Sequence, residues 1–374
     1  MRTNAETSGS DAIQCSTPNR LWKTNWAETR SHFTAWWEQR GLVLVIGCNE
    51  LVKARIQTPD PGPPASVADK YTDVAWRTRR NLADLARAPL LGDMLPIANA
   101  DIGPGSLALF IGSEPNFAEN TVWYEPRPEE PEDYPALRFE PQNHWWKLHE
   151  DLLQSLVQAS AGRFFVGCPD LIENIDILAS LRGMEQVLTD LLDQPEWVEK
   201  KMWEINQVFI DAYQRVYDII RQPDGSSAFG AFHLWAPGKV AKVQCDASAA
   251  FSPAMFKRFV VPALTAQCEW LDYSMYHLDG TQAACHLDLL LDMAPLDAIE
   301  WTPQYGIPGG GSPMWFDLYR RVLNAGKSVQ AIGVKPLEVV PLLDAVGPKG
   351  MYISTRCESR AQAEKLWREV ERYR

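Results

Sequence analysis

The sequence predicts an α/β chain, a (β/α)8 barrel with an N-terminal extension, and three observations lead there. About eight short apolar runs recur, each followed by a helical stripe or a long loop. The first of them, residues 42–46, is apolar throughout, as a parallel strand buried on both faces must be. After it comes Gly47-Cys48-Asn49-Glu50, which lacks the glycine-rich fingerprint of the rival doubly wound sheet.

Along the chain, residues 1–20 are polar, with no apolar core behind a basic start, so a flexible tail is expected there and not a signal peptide. Residues 21–374 are expected to form one barrel domain. After 42–46, strands are expected between 94 and 111, where Gly and Pro blur the limits, and then at 163–166 and 228–234. Further strands are expected at 272–276, 296–301, 328–332 and 351–354. Ile205, Val208, Phe209, Ala212, Tyr213, Val216 and Ile220 form a helical stripe, opened by Asp193 and Pro195. Ser252-Pro253 opens another helix, and Ser359 with Gln362 has the form of a capping box. The Pro- and Glu-rich stretch 127–141 reads as a solvated loop, and 59–64 as a rigid turn or lid. Gly309-Gly310-Gly311-Ser312 reads as a flexible loop that closes over a ligand.

Bulk properties exclude some classes of function. The net charge is -12, from 36 basic and 48 acidic residues, without a long Lys/Arg run. That argues against a nucleic-acid or anionic-membrane surface. No run of about 18 apolar residues could span a bilayer. Seven scattered cysteines form no CxxC pair, which points to a reducing cytoplasm. The 15 tryptophans are read first as packing, with a few near strand ends able to floor a ring-shaped ligand.

In a barrel the loops after the strands form the active-site face. Glu50 follows strand one; Trp235, Gln244 and Asp246 follow strand four; Gln304 follows strand six; Cys357 follows strand eight. His277 and Asp279 end strand five, two residues apart, so they face the same side. Zinc takes imidazole, carboxylate and thiolate ligands, and His277, Asp279 and Cys357 supply one of each. The alternative is a hydrogen-bonded polar pair that positions a substrate. Asp246 and Asp279 are candidate acid–base residues. Glu50, Trp235, Gln244, Tyr276, Trp301 and Gln304 are candidate substrate contacts. His286, Cys268 and Cys285 read as packing groups, and His233 as a core histidine or a substrate contact.

From Ala228 onward the chain resembles the uroporphyrinogen decarboxylase-like superfamily, which includes the cobalamin-dependent methyltransferases. The resemblance lies in Trp235-Ala236-Pro237-Gly238, Gln244-Cys245-Asp246, Phe251-Ser252-Pro253-Ala254-Met255-Phe256, Tyr276-His277-Leu278-Asp279-Gly280, Leu296-Asp297-Ala298-Ile299-Glu300-Trp301 and Tyr352-Ile353-Ser354. It implies a (β/α)8 barrel. True decarboxylases carry an Arg-rich stretch near the first strand to bind porphyrinogen carboxylates. Here that place has no Arg and holds Glu50, so a polyanionic porphyrinogen would be repelled. The methyltransferases hold zinc with a His-x-Cys pair and a later Cys, to present a thiol as thiolate. This chain has His277 and Cys357 in those places, with Asp279 where Cys is usual.

The resemblance therefore implies a metal-dependent methyltransferase, with zinc as cofactor and a corrinoid arriving on a partner protein. A small-molecule substrate and a second copy of the chain are the other expected partners. The alternatives are a metal-free lyase or decarboxylase on a small polar substrate, and a non-catalytic ligand-binding barrel.

Overall fold

The computed structural model describes residues 21–127 and 129–374; the expected tail at 1–20, with Cys15, and Pro128 lie outside the described residues. Parallel strands alternate with helices, as an α/β chain requires. The strands are β1 (Leu42–Cys48), β2 (Leu91–Gly92), β3 (Ile97–Ala98), β4 (Pro115–Phe117), β5 (Val122–Tyr124), β6 (Phe165–Cys168), β7 (Ser227–Phe229), β8 (Leu234–Ala236), β9 (Val240–Gln244), β10 (Tyr273–Asp279), β11 (Ala298–Thr302), β12 (Ser328–Val334) and β13 (Met351–Cys357).

Seven of them form one sheet in the order β2-β1-β13-β12-β11-β10-β9, parallel except for β2. A second sheet runs β3-β6-β7-β8, and β4 and β5 pair as a separate hairpin. Among the described residues no backbone ladder joins the two large sheets. Side chains link them instead, because Lys242 of β9 reaches Asp170 in the loop after β6, at 2.7 Å.

The expected fourth strand is corrected. Residues 228–234 do not run straight: Phe232 and His233 take left-handed backbone angles, φ 59° and 52°, and turn the chain. The segment divides into β7 and β8, and Val240–Gln244 forms a strand of its own. Other expectations match the structure. The helix Pro195–Ile220 carries the buried stripe. Ser359 Oγ accepts from Gln362 N at 3.2 Å, while Gln362 Oε1 accepts from Glu358 N at 2.9 Å.

The glycine-loop expectation differs from what is seen, whereas the Pro- and Glu-rich stretch is a loop anchored at two points. Gly309, Gly310 and Gly311 are not a free flap. A Cβ on Gly309 or Gly310 would collide with the carbonyls of Gly333 or Ile332, so glycine is there to let two backbones touch. In the Pro- and Glu-rich stretch, Tyr134 and Leu137 are buried, with Leu137 N donating to Glu204 Oε2 at 2.9 Å.

The first helix explains part of the tryptophan count. The helix Trp26–Trp37 lays Phe33, Trp36 and Trp37 under the starts of the strands. Trp36 Nε1 donates to Gly350 O at 3.0 Å, just before β13, and Trp37 Nε1 to Trp235 O at 2.9 Å. With their indole N–H groups satisfied, large rings can be buried without an orphaned donor.

His149, buried on the helix His144–Ser160, meets Ala100 O through Nε2 at 2.9 Å. Burial first, and the Arg77 charge second, push its pKa from 6.5 down to about 3. Below pH 6.5 the unfolded chain takes up a proton that the folded one refuses. Stability present above pH 6.5 is therefore lost as the pH falls toward 3, at about 1.4 kcal/mol per unit. Urea unfolding at pH 5 should show about 2 kcal/mol less stability from this group than at pH 7. A His149→Gln variant should lack that share of the acid loss. An unchanged pH slope would refute the assignment.

Candidate active site at the strand ends

In β10 successive side chains alternate across the sheet, so His277 and Asp279 share one face and Tyr276 and Leu278 the other. Parallel pairing sets Glu300 of β11 opposite His277. His277 Nδ1 and Glu300 Oε2 form a hydrogen bond, and Thr302 Oγ1 donates to Glu300 Oε1 at 2.8 Å. Glu300 is fully buried. The bond anchors the ring by Nδ1 and leaves Nε2 facing Asp246 Oδ1, 3.9 Å away.

Asp246 opens the tight turn Asp246–Ala250 directly after β9. Asp176 holds that turn, its two carboxylate oxygens accepting from Asp246 N and Ala247 N, both at 2.8 Å. Gln244 Nε2 bridges Asp176 and Asp246, at 2.9 Å to each. Burial first, and the Asp176 charge next, raise the Asp246 pKa to about 6. For His277, burial opposes the imidazolium, but the bond and charge of Glu300 outweigh it and raise the pKa. Burial raises Glu300 too, against the pull of His277.

A buried ionic layer lies behind these groups. Lys242 projects from β9 to Asp170 at 2.7 Å and also donates to Gln244 Oε1. Burial disfavours its charge, yet the Asp170 carboxylate, the largest opposing influence, raises its pKa. Glu173 is pushed up to about 8 by burial, with Lys242 pulling the other way, so it holds a proton at neutral pH. Ile172 and Asn174, on either side of Glu173, both have φ 56°. Left-handed backbone at non-glycine residues costs about 1–3 kcal/mol each. Asn174 Nδ2 donates to Gln244 O at 3.1 Å, one of the bonds that pin this loop.

Asp246, His277 and Asp279 each offer one ligand atom, and these atoms lie within 4.8 Å of one another. Ligands on a first-row divalent ion sit about 2.0–2.2 Å from it, so small carboxylate rotations would close the set around one. One imidazole and two carboxylates suit zinc and neighbouring divalent ions. Glu300 occupies the place of the outer carboxylate that commonly orients a ligating histidine. The residues present fit a divalent metal.

Cys357 does not join this set. It lies on β13, three strands along the sheet from β10. Alternation puts it on the opposite face from Tyr352, Ser354 and Arg356, and it is buried beside Cys48, its register partner. Asp246 stands where the thiol was expected. The expected aromatic walls are also placed elsewhere. Trp235 packs on Trp26 at 5.2 Å and beside Phe33. Tyr276 lies against Phe256, and Trp301 against Trp315 at 4.9 Å, both on the helix side of their strands. Glu50 Oε2 instead accepts from Arg360 N at 2.9 Å, at the start of the last helix. Gln304 Oε1 accepts from Thr281 Oγ1 at 2.6 Å, beside the end of β10. Cys285 is exposed, not buried, whereas His286 stacks on Phe256 at 4.4 Å.

The aromatic group beside His277 is Phe232, ring centres 5.0 Å apart. Its strained turn is tied down by Gln330 Nε2 and Tyr352 OH, each donating to Phe232 O at 3.0 Å. Sequence reasoning missed Glu300, Lys242, Asp170, Glu173 and Asp176. For two of them a signal existed: Lys242 and Glu300 are single charges inside otherwise apolar strand runs, where only a partner makes burial tolerable.

Fold and site together define a parallel α/β protein with a histidine–carboxylate cluster at the C-terminal ends of neighbouring strands. In fold it is similar to a methyltransferase from Methanosarcina mazei, with a TM-score of 0.62 over 91% of this chain and 97% of that one, at 10% identity. Neither a protein-family pattern nor a curated protein matches the sequence. Among the described residues no helix is long and apolar enough to cross a membrane.

Proposed function

We propose that this chain is a methyltransferase of the uroporphyrinogen decarboxylase-like superfamily. In this reading the two sheets make up a (β/α)8 barrel, which moves a methyl group to or from a small substrate at the strand ends. The observation that carries it is the Asp246–His277–Asp279 cluster with Glu300 behind the histidine. The likeness in fold to a methyltransferase supports it. Asp246, His277 and Asp279 would hold a divalent metal of the zinc type, which when bound acts as a Lewis acid and lowers the pKa of a thiol or water.

The chain's own groups do the rest. Glu300 fixes the orientation of His277. Asp176 and Gln244 fix Asp246 on the rim, so that its half-exposed carboxylate is held ready as a ligand. Phe232 covers one side of the imidazole and limits water there. The methyl carrier would be a corrinoid, delivered by a partner protein in a reducing compartment.

The test is metal analysis of the purified protein, with methyl transfer from methylcobalamin to small thiols followed by absorbance. We expect about one divalent ion per chain, and loss of both metal and transfer in Asp279→Asn. Methyl transfer that survives chelation would overturn the metal-dependent part of this reading.

A further inference from the structure

We propose a second subsite on the same strand-end face, in which Arg356 and Lys335 hold an anionic group of the substrate, a carboxylate, sulfonate or phosphate. The inference rests on the reading above in taking the His277 cluster as the reacting end. A cavity of about 400 Å3 opens between the ends of β1, β12 and β13, within the size range of small-molecule sites. Gly47, His233, Lys335, Ser354, Thr355 and Arg356 line it, and no Asp or Glu is among its described lining residues. In a chain of net charge -12, this is a local inversion of sign.

Arg356 is held in place by a neutral group, since its Nη1 donates to Asn49 Oδ1 at 2.7 Å. It crosses above Gly47, where an added Cβ would stand 3.5 Å from its guanidinium carbon. The end of β1 has no Arg of its own, and β13 supplies one there. Lys335 is 79% exposed and only loosely paired, 3.9 Å from Glu338. Glu338 already caps the helix Pro336–Val346 through Lys335 N at 2.9 Å, so the side chains and not the helix end would carry the anion.

One further observation points to a ligand. The buried Nδ1 of His233, a residue that lines the cavity, has no partner among the described residues. Buried polar atoms left unpaired are costly, and the oxygens and bound water of an anion can satisfy such donors and acceptors. The strained turn connects the two places: Phe232 lies on His277, and its neighbour His233 lines the cavity. A small molecule lying over this turn would have its charged end in the cavity and its reacting end at the cluster.

The experiment is calorimetric titration of inorganic phosphate, and separately sulfate, into the full chain after chelation. Saturable binding is expected, weakened about tenfold or more by Arg356→Gln and a few-fold by Lys335→Gln, with Arg356→Lys intermediate. Absence of saturable binding, or equal affinity in the Arg356→Gln/Lys335→Gln double variant, would overturn the subsite. If Arg356→Gln does not fold, the exposed Lys335→Gln decides alone. Metal content of each preparation, taken before chelation, separates the two readings. Anion binding without metal binding removes the function proposed above, and metal binding without anion binding removes the subsite.

Discussion

Replacing Glu300 with Gln is expected to weaken binding of a divalent ion by about 10- to 100-fold, while the protein still folds. Glu300 touches no solvent and does not itself reach the cluster. It acts through His277 Nδ1, by fixing which nitrogen carries the proton and by making Nε2 a better donor. Glutamine keeps the shape and one hydrogen bond but not the charge. It can also present its NH2 to Nδ1, which would put the proton on Nε2 and block the ligand position. Competition with a chromophoric chelator measures the affinity. An unchanged affinity for zinc would show that the histidine–carboxylate pair is structural. Glu300→Asp, which keeps the charge at a longer reach, should recover part of the loss.

Lys242→Met should destabilise the fold by about 3–5 kcal/mol, the usual consequence of removing one partner from a buried ion pair. Lys242 is 2% exposed and meets Asp170 at 2.7 Å. Its methylenes can be replaced by methionine without a large cavity, so the loss measures charge. Without the ammonium, Glu173 stays protonated, but Asp170 is left as an uncompensated carboxylate. The double variant Lys242→Met/Asp170→Asn should therefore recover most of the stability. Urea midpoints for the two single variants and the double one form a cycle that isolates the pair. If Lys242→Met unfolds at the midpoint of the unaltered protein, the buried ionic layer contributes nothing to stability.

Much of the fold was legible because its signals are local. The apolar runs at 42–46, 328–332 and 351–354, the stripe ending at Ile220 and the Ser359–Gln362 cap depend on neighbours in the chain, and each appears close to its expected place. The fourth strand was not legible, because the left-handed turn at Phe232 and His233 is imposed by Gln330 and Tyr352, about a hundred residues away. The same split runs through the site. That His277 and Asp279 share a face follows from a period of two in any strand. The same rule excludes Tyr276, and it also places Trp301 opposite Glu300, so those two aromatic expectations conflicted with the chain's own alternation.

Sequence by itself determined that a histidine and a carboxylate stand side by side at a strand end, since extended backbone permits no other arrangement. Tertiary structure alone decided the third member. Cys357 was the expected third ligand, and Asp246 was expected as an acid–base residue. Strand order puts β9 next to β10 and β13 three strands away, and the pleat turns Cys357 toward the helices. Neighbourhood across a sheet is set by long-range pairing and by packing of the helices between strands, and no local pattern encodes it.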